Sequence, residues 1–401
     1  MCEPPQWRFK SSVACFSLDS NPGLAKIKSG MASSGPLKPS QSPVKTFSNP
    51  FHHVLHAFTH PALRSHLLIR GPTVTTPLML ATWSFAQAGL DLALPELLKG
   101  GDPLDACVLA CEAAERDETV DSVGYGGLPD ASGAMSLDAC VMRSPSECGS
   151  VCYVTKHVQV TRLARHVMER TPHVMLAGRP ADHFANEMGL PQSNLLAPAA
   201  REAWFQWSQT GIGGHAPDAA LRPMDPGKGG GGGLFFGQTG GNRSTSGTDD
   251  ERRWPSHDTI GVLSLACDGR LAGACSTSGT AFKAPGRVGD SPIVGHGLYV
   301  EPGIGMAVCT GEGELVMGSC AAYAVIEAMR RGASPAEAAG SVLERIDDLF
   351  SLEKHHQIGI IVSDAGGRHI VTALRDGFRA VLGDHDGSRV VEPEIVLHPG
   401  T

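Results

Sequence analysis

His257-Asp258-Thr259-Ile260-Gly261-Val262-Leu263-Ser264-Leu265-Ala266 is the stretch on which the fold and the chemistry both turn. Before it lies a run rich in Gly, Ser and Arg (residues 208–256) that cannot build a core. From Thr259 onward the pattern is that of a strand. A Thr at the first position of a strand, behind a flexible tail, is where a self-cleaving hydrolase keeps its nucleophile. If the Asp258–Thr259 bond is cut, Thr259 gains a free α-amine beside its own hydroxyl. An α-amino group titrates near ~7.7–8.0, so it serves as a base at neutral pH without a histidine. The plain alternative is that Asp-Thr merely ends a loop and opens a strand.

Downstream residues weigh against that alternative. Thr259–Cys267 and Arg270–Thr277 read as a hairpin turned at Asp268-Gly269, a strong turn signal. With the turn there, a residue at 277 or 278 falls opposite 259 or 260, so the Thr277 hydroxyl is placed to reach Thr259. Ser276-Thr277-Ser278-Gly279, Gly286-Arg287-Val288-Gly289-Asp290-Ser291-Pro292 and Thr310-Gly311-Glu312-Gly313-Glu314 follow in order.

With these four motifs the sequence resembles glycosylasparaginase (aspartylglucosaminidase), of the N-terminal-nucleophile hydrolases. The resemblance extends over Pro77 to Trp207, through Thr82-Trp83, Ser122-Val123-Gly124-Tyr125-Gly126-Gly127 and Leu137-Asp138-Ala139-Cys140. It does not cover residues 1–75 or the Gly-rich run before His257. It implies an α+β fold, a four-layer αββα sandwich, and self-cleavage between Asp258 and Thr259 with Ser122 beside the scissile bond. It implies Thr259 as nucleophile, Thr277 as its partner, and an oxyanion hole from the Thr310 hydroxyl and the Gly311 N–H. Trp83 would contact the substrate. Arg287 would grip an α-carboxylate and Asp290 an α-ammonium, an intraloop Arg287–Asp290 salt bridge being the alternative.

The implied reaction is hydrolysis of the N-acetylglucosamine–asparagine bond, with no cofactor and no metal. The implied partners are a small glycosyl-asparagine and a second copy, as a dimer of cleaved α/β chains. The implied compartment is lysosome or vacuole. Plant-type L-asparaginase or isoaspartyl peptidase is the rival within the fold, and an uncleaved binding protein the rival outside it. The chain departs from the pattern at Ala81, where relatives often carry Asn or Ser. It departs again at Lys156-His157-Val158-Gln159-Val160, where they carry Lys-Asn-Pro.

The division expected is an N-terminal extension (1–75), a first half (76–207, α subunit), a Gly-rich linker (208–258) and a second half (259–401, β subunit). The extension has only two acids, Glu3 and Asp19, is rich in Ser and basic residues, and shows no apolar signal-peptide core. It therefore reads as a transit peptide or a disordered tail, or as residues ahead of a start at Met31 or later. Hydrophobic residues are 41% and charged residues 18%, as in globular proteins. The net charge of −8 argues against a nucleic-acid partner, and no run is long and apolar enough for a membrane span. The 11 Cys show no paired spacing, so neither a disulfide framework nor a zinc site is read; Cys107, Cys111 and Cys140 read as small buried residues.

Further elements expected are a strand at 77–81, helices at 85–98, 103–116, 163–169 and 181–188, and strands at 133–142, 149–153 and 173–177. In the second half a strand at 303–309 precedes one long helix over 314–331. A capping box at Ser334-Pro335-Ala336-Glu337 opens a helix to about Phe350. Strands at 357–363 and 369–374 follow, with an edge strand after Phe378. His157, His355 and His356 read as surface residues.

Overall fold

The computed structural model describes residues 75–210 and 258–400. The expectations for the N-terminal extension and for most of the linker lie outside these residues. The first half runs β1 (Leu78–Thr82), α1 (Gln87–Leu98), α2 (Pro103–Arg116), β2 (Leu137–Ser144), β3 (Glu147–Val154), α3 (Val160–Arg170), β4 (Met175–Ala177), α4 (Gly178–Glu187) and α5 (Pro198–Thr210). The second half opens with β5 (Ile260–Leu265), β6 (Leu271–Thr277), β7 (Leu298–Glu301) and β8 (Gly305–Gly311). Helices α6 (Gly313–Ser319), α7 (Ala321–Arg330) and α8 (Pro335–Leu349) follow. Then come β9 (Ile358–Asp364), β10 (His369–Arg375), β11 (Ala380–Asp384), β12 (Gly387–Val391) and β13 (Ile395–His398).

Local chemistry sets the helix starts. The Asp102 carboxylate accepts the N–H groups of Leu104 and Asp105 ahead of α2, with Pro103 inside the first turn. At α8 the Ser334 hydroxyl takes the Glu337 N–H while the Glu337 carboxylate takes the Ser334 N–H. Such caps satisfy donors that have no partner inside the helix.

The fold is mixed α+β with two sheets. The larger has strand order β12-β11-β1-β5-β6-β2-β3-β4 and the smaller β13-β10-β9-β8-β7. Pairing is antiparallel except at β3–β4 and β10–β13. Strands of the two halves of the chain interleave: β1 lies between β11 and β5, and β2 pairs with β6. One apolar cluster joins α1 to α3 with the larger sheet through Leu90, Leu97, Leu104, Leu163, Met79 and Val262. A second draws on both sheets, with Leu80, Leu263, Cys275, Val308 and Ile361. A third joins α7 and α8 to the smaller sheet through Val325, Ile326, Leu343, Ile346 and Ile360. No helix among the described residues is long and apolar enough to cross a membrane.

Four expectations need correction. The long helix over 314–331 is two helices, broken at Cys320, whose backbone is left-handed (φ 51). Gly318-Ser319-Cys320 are poor helix formers, and the Ser319 hydroxyl bonds back to the Leu315 and Val316 carbonyls, competing with the helix ladder. The C-terminal tail supplies three strands rather than one edge: β11 is internal, while β12 and β13 are edges. His157 is fully buried, with Nδ1 3.1 Å from the Pro191 carbonyl. His356 is buried as well, because its ring nitrogen receives the Glu353 N–H and ties the loop ahead of β9.

Candidate active site

Four strand ends converge. β1 ends at Thr82, β6 at Thr277 and β8 at Gly311, while β5 begins one residue after Thr259. The β5–β6 register pairs Ile260 with Ser276, so Thr259 and Thr277 stand opposite each other at the end of the hairpin. β8 belongs to the other sheet, and Gly261 lets it approach. A Cβ on Gly261 would lie 2.3 Å from Val308 Cγ2, so only Gly brings Thr310 against Thr259.

Thr259 is buried (4% exposed) and all three of its polar groups are bonded. Its N–H donates to Thr310 Oγ1 at 3.1 Å. Its carbonyl accepts from the Thr82 hydroxyl at 2.6 Å and from the Thr310 hydroxyl at 3.2 Å. Its own hydroxyl meets Ser291 Oγ at 3.1 Å. Thr82 also accepts the Gly261 N–H at 2.7 Å, bridging two positions of the new strand. Thr310 accepts a further bond from the Trp83 indole N–H at 2.8 Å.

The expected site residues fall in different places. Thr259, Thr277, Arg287, Asp290 and Gly311 line one cleft of about 210 Å³ together with Gly279, Thr280, Gly289 and Ser291. Thr277 faces this cleft, but its hydroxyl donates to the Ser122 carbonyl (3.4 Å) and accepts the Gly279 N–H (2.9 Å), not Thr259. Ser122 is buried, and its carbonyl also takes the Ser278 N–H at 2.8 Å. Asp258 is half-buried at the head of β5. Trp83 and Thr310 do not line the cleft. Trp83 stands behind it with a left-handed backbone (φ 64), its ring edge-on to Phe378 and its N–H spent on Thr310. Gly311 has φ 104, and a Cβ there would lie 2.1 Å from the Gln357 carbonyl.

Arg287 and Asp290 are not joined in a salt bridge. The guanidinium instead grips Glu314 through Nε (2.9 Å) and Nη2 (2.7 Å). Its Nη1 faces Gly279 and Gly289, where added Cβ atoms would lie 3.1 and 2.9 Å away. The Asp290 carboxylate is buried, and its Oδ2 takes no hydrogen bond from the described residues. Burial pushes its pKa up to about 7 even though Arg287 pulls the other way. Glu312, buried beside Glu314, is also raised by loss of solvent and by that neighbouring charge. A cation and an anion thus face the same space without neutralising each other, an arrangement suited to a zwitterion.

A sequence profile described as asparaginase matches residues 76–387. The chain belongs to the asparaginase family. An Elizabethkingia miricola protein named N(4)-(beta-N-acetylglucosaminyl)-L-asparaginase is 35% identical over 329 residues, covering 81% of this chain and 86% of that one. A mouse protein of the same name is 34% identical, covering 71% and 80%. A Drosophila melanogaster protein carrying that name as putative is 33% identical, covering 70% and 71%.

Three residues of the site escaped the sequence reading. Thr82 and Ser291 each lie beside a residue that was singled out, and Glu314 lies within a quoted motif. None has a spacing signal, because each acts on a residue distant in sequence. Among the described residues, one trio brings three potential metal-ligand atoms within 4.8 Å: Asp384, His385 and Asp386. It occupies the β11–β12 turn, at the far end of β11 from Ala380, which pairs with Thr82.

Proposed function

We propose that the chain is a self-activating amidohydrolase that cleaves the bond between N-acetylglucosamine and asparagine. The observation that carries this is Thr259. Its N–H, carbonyl and hydroxyl are each held, in a cleft that also presents Arg287 and Asp290. In activation the Thr259 hydroxyl oxygen attacks the Asp258 carbonyl carbon. The C–N bond breaks and the proton passes to the Thr259 nitrogen. Water then hydrolyses the ester, leaving a carboxylate on Asp258 and a free amine on Thr259. Ser122, through its bond to Thr277, braces this end of the sheet.

In turnover the amine takes the proton of the Thr259 hydroxyl as its oxygen attacks the side-chain carbonyl of the substrate. Arg287 Nη1 holds the α-carboxylate and Asp290 the α-ammonium. Gly311 and Thr310 receive the developing oxyanion. For Thr310 this requires its proton to turn away from the Thr259 carbonyl, a move Thr82 permits because it already bonds that carbonyl. The proton on the amine goes to the departing glycosylamine. Water then frees aspartate from the Thr259 ester. Arg287 and Asp290 both line the cleft beside Thr259, which supports a grip on the amino-acid part of the substrate.

The same reading makes residues 76–207 and 259–401 the two subunits of a matured enzyme, joined before cleavage by the linker at 208–258. It makes the layers helix–sheet–sheet–helix, as the three apolar clusters support, and the assembly a dimer of cleaved pairs. Denaturing mass spectrometry of the purified chain tests it. Two pieces splitting before Thr259, and an intact Thr259→Ala, are expected. The cut enzyme should then release aspartate from N-acetylglucosaminyl-asparagine faster than from asparagine or a β-aspartyl dipeptide. An intact wild-type chain would overturn the proposal in favour of a binding protein.

A further inference from the structure

The nucleophile's hydroxyl has one hydrogen-bond partner among the described residues, and it is neither Thr277 nor Thr310. It is Ser291 Oγ, at 3.1 Å. Ser291 is buried and has no slack. Its carbonyl receives the Cys275 thiol at 2.9 Å. The carbonyl of the preceding Asp290 receives the N–H groups of Ile293 and Gly297 at 3.0 and 3.2 Å. A Cβ on Gly297 would lie 2.8 Å from the Ser291 Cα, so the two loop segments are in backbone contact. Cys275 is on β6, one strand over from Thr259. The backbone of Ser291 is therefore fixed to the same sheet that carries the nucleophile.

This matters because of what Thr259 lacks before it is cut. Its nitrogen is then an amide and cannot act as a base. Sterics already restrict this buried, β-branched side chain, and a hydrogen bond adds a directional preference for Oγ1 among the remaining staggered rotamers. The backbone of Thr259 is already clamped on both sides, by Thr310 and Thr82. The direction of Oγ1 is the coordinate that the bond to Ser291 reinforces.

Resting on the function proposed above, we propose that Ser291 is a further catalytic residue: its hydroxyl holds Thr259 Oγ1 in the rotamer that attacks, in self-cleavage and again in turnover. It takes no net proton. In the matured enzyme it accepts or donates the same hydrogen bond while the α-amine does the acid–base work. Asp290, the neighbouring residue, faces the cleft for the substrate. The loop thus places one side chain on the nucleophile and the next on the ligand.

The test compares full-length wild type, Ser291→Ala and Ser291→Cys, with Thr259→Ala as the uncut reference. Conversion to two pieces is followed by denaturing mass spectrometry over hours to days, and folding by thermal melting. Misplacing an attacking group by about an ångström costs on the order of 100-fold. Ser291→Ala should therefore self-cleave roughly 10- to 100-fold more slowly at a near-normal melting temperature. Once cut, it should show kcat lowered by a similar factor with KM within about threefold. Ser291→Cys, nearly the same shape but with a weak S–H donor, should fall between, and it carries the test alone if the Ala variant does not fold. A wild-type rate of cleavage in a folded variant, or a wild-type kcat once cut, overturns the assignment. If wild type itself stays intact, the underlying function falls first and Ser291 falls with it. If wild type cuts and the Ser291 variants match it, only Ser291 falls.

Discussion

Asp290 and Glu115 are both buried carboxyls, and burial pushes both up to a pKa of about 7. They serve neighbouring residues of one strand. Ser276 and Thr277 are consecutive on β6, so they point to opposite faces of the sheet. Behind the sheet, Glu115 Oε1 accepts the Ser276 hydroxyl (2.8 Å), the Thr161 N–H (2.9 Å) and the Thr161 hydroxyl. It thereby knits α2, α3 and β6 together. In front, Asp290 Oδ2 takes no hydrogen bond from the described residues, and Asp290 lines the cleft with Thr277. The same shift thus accompanies a structural clasp and an open binding group. Perturbed titration marks burial, and each carboxyl keeps one oxygen without a hydrogen bond from the described residues; what distinguishes Asp290 is that it lines the cleft.

The largest effect that would break this contrast is a substitution of each acid. Asp290→Asn removes the anion opposite the substrate ammonium. It should lower kcat/KM by ~10²–10³-fold, chiefly through KM, as loss of one partner in a desolvated charge pair does. Glu115→Gln keeps an acceptor oxygen for all three donors and should stay within about twofold. Steady-state kinetics on N-acetylglucosaminyl-asparagine decides, and equal losses in both variants would erase the distinction.

Next in size is pH. Only ionised Asp290 pairs with an ammonium, so in the free enzyme the competent fraction falls as pH drops through about 7. The pH profile should show kcat/KM declining by up to about tenfold per unit below that point. Asp290→Asn should flatten this limb, and Glu115→Gln should leave it in place. A smaller effect tests the support behind the cleft. Trp83→Phe keeps the ring against Phe378 but deletes the N–H on Thr310, and a single hydrogen bond of that kind is worth about 1 kcal/mol. Turnover should fall roughly 5- to 10-fold with little change in KM.

The smallest expected effect is on stability. Glu115 has a folded-state pKa above its ordinary 4.5. Its favourable contribution is therefore complete below about 4.5 and is lost as pH rises through about 7. Glu115→Gln cannot ionise and escapes that loss. Its melting temperature should gain on wild type between pH 5 and pH 8, by a few degrees, reflecting a difference on the order of 2–3 kcal/mol. A constant difference across that range would mean that Glu115 does not carry the shift.

Much of the fold was legible because it is local. The Asp268-Gly269 turn, the Ser334–Glu337 capping box and the alternation after Thr259 each specify geometry within a few residues. The pairing of Thr259 with Thr277 followed from counting outward from one turn. The aim of the Thr277 hydroxyl did not, because it depends on Ser122, more than a hundred residues away in sequence. Neither did the pairing of Arg287 with Glu314, which sets a loop against a helix start. The break at Cys320 was hidden by an unbroken apolar pattern on either side of it. His157 and His356 looked superficial because composition says nothing of which polar ring finds a backbone partner inside.

The interleaved strand order has one more consequence. A cut before Thr259 would leave β1 to β4 on one piece and β5, β6, β11 and β12 on the other. Three ladders, β11–β1, β1–β5 and β6–β2, would then be seams between separate molecules. Such pieces do not part on dilution, since parting means unzipping the middle of a sheet. Reassembly after melting, however, would become a second-order encounter between two chains that each lack half a core. Maturation would then work as a ratchet: the protein folds once as a single strand of information, and afterwards persists by its rate of falling apart rather than by its ability to fold again.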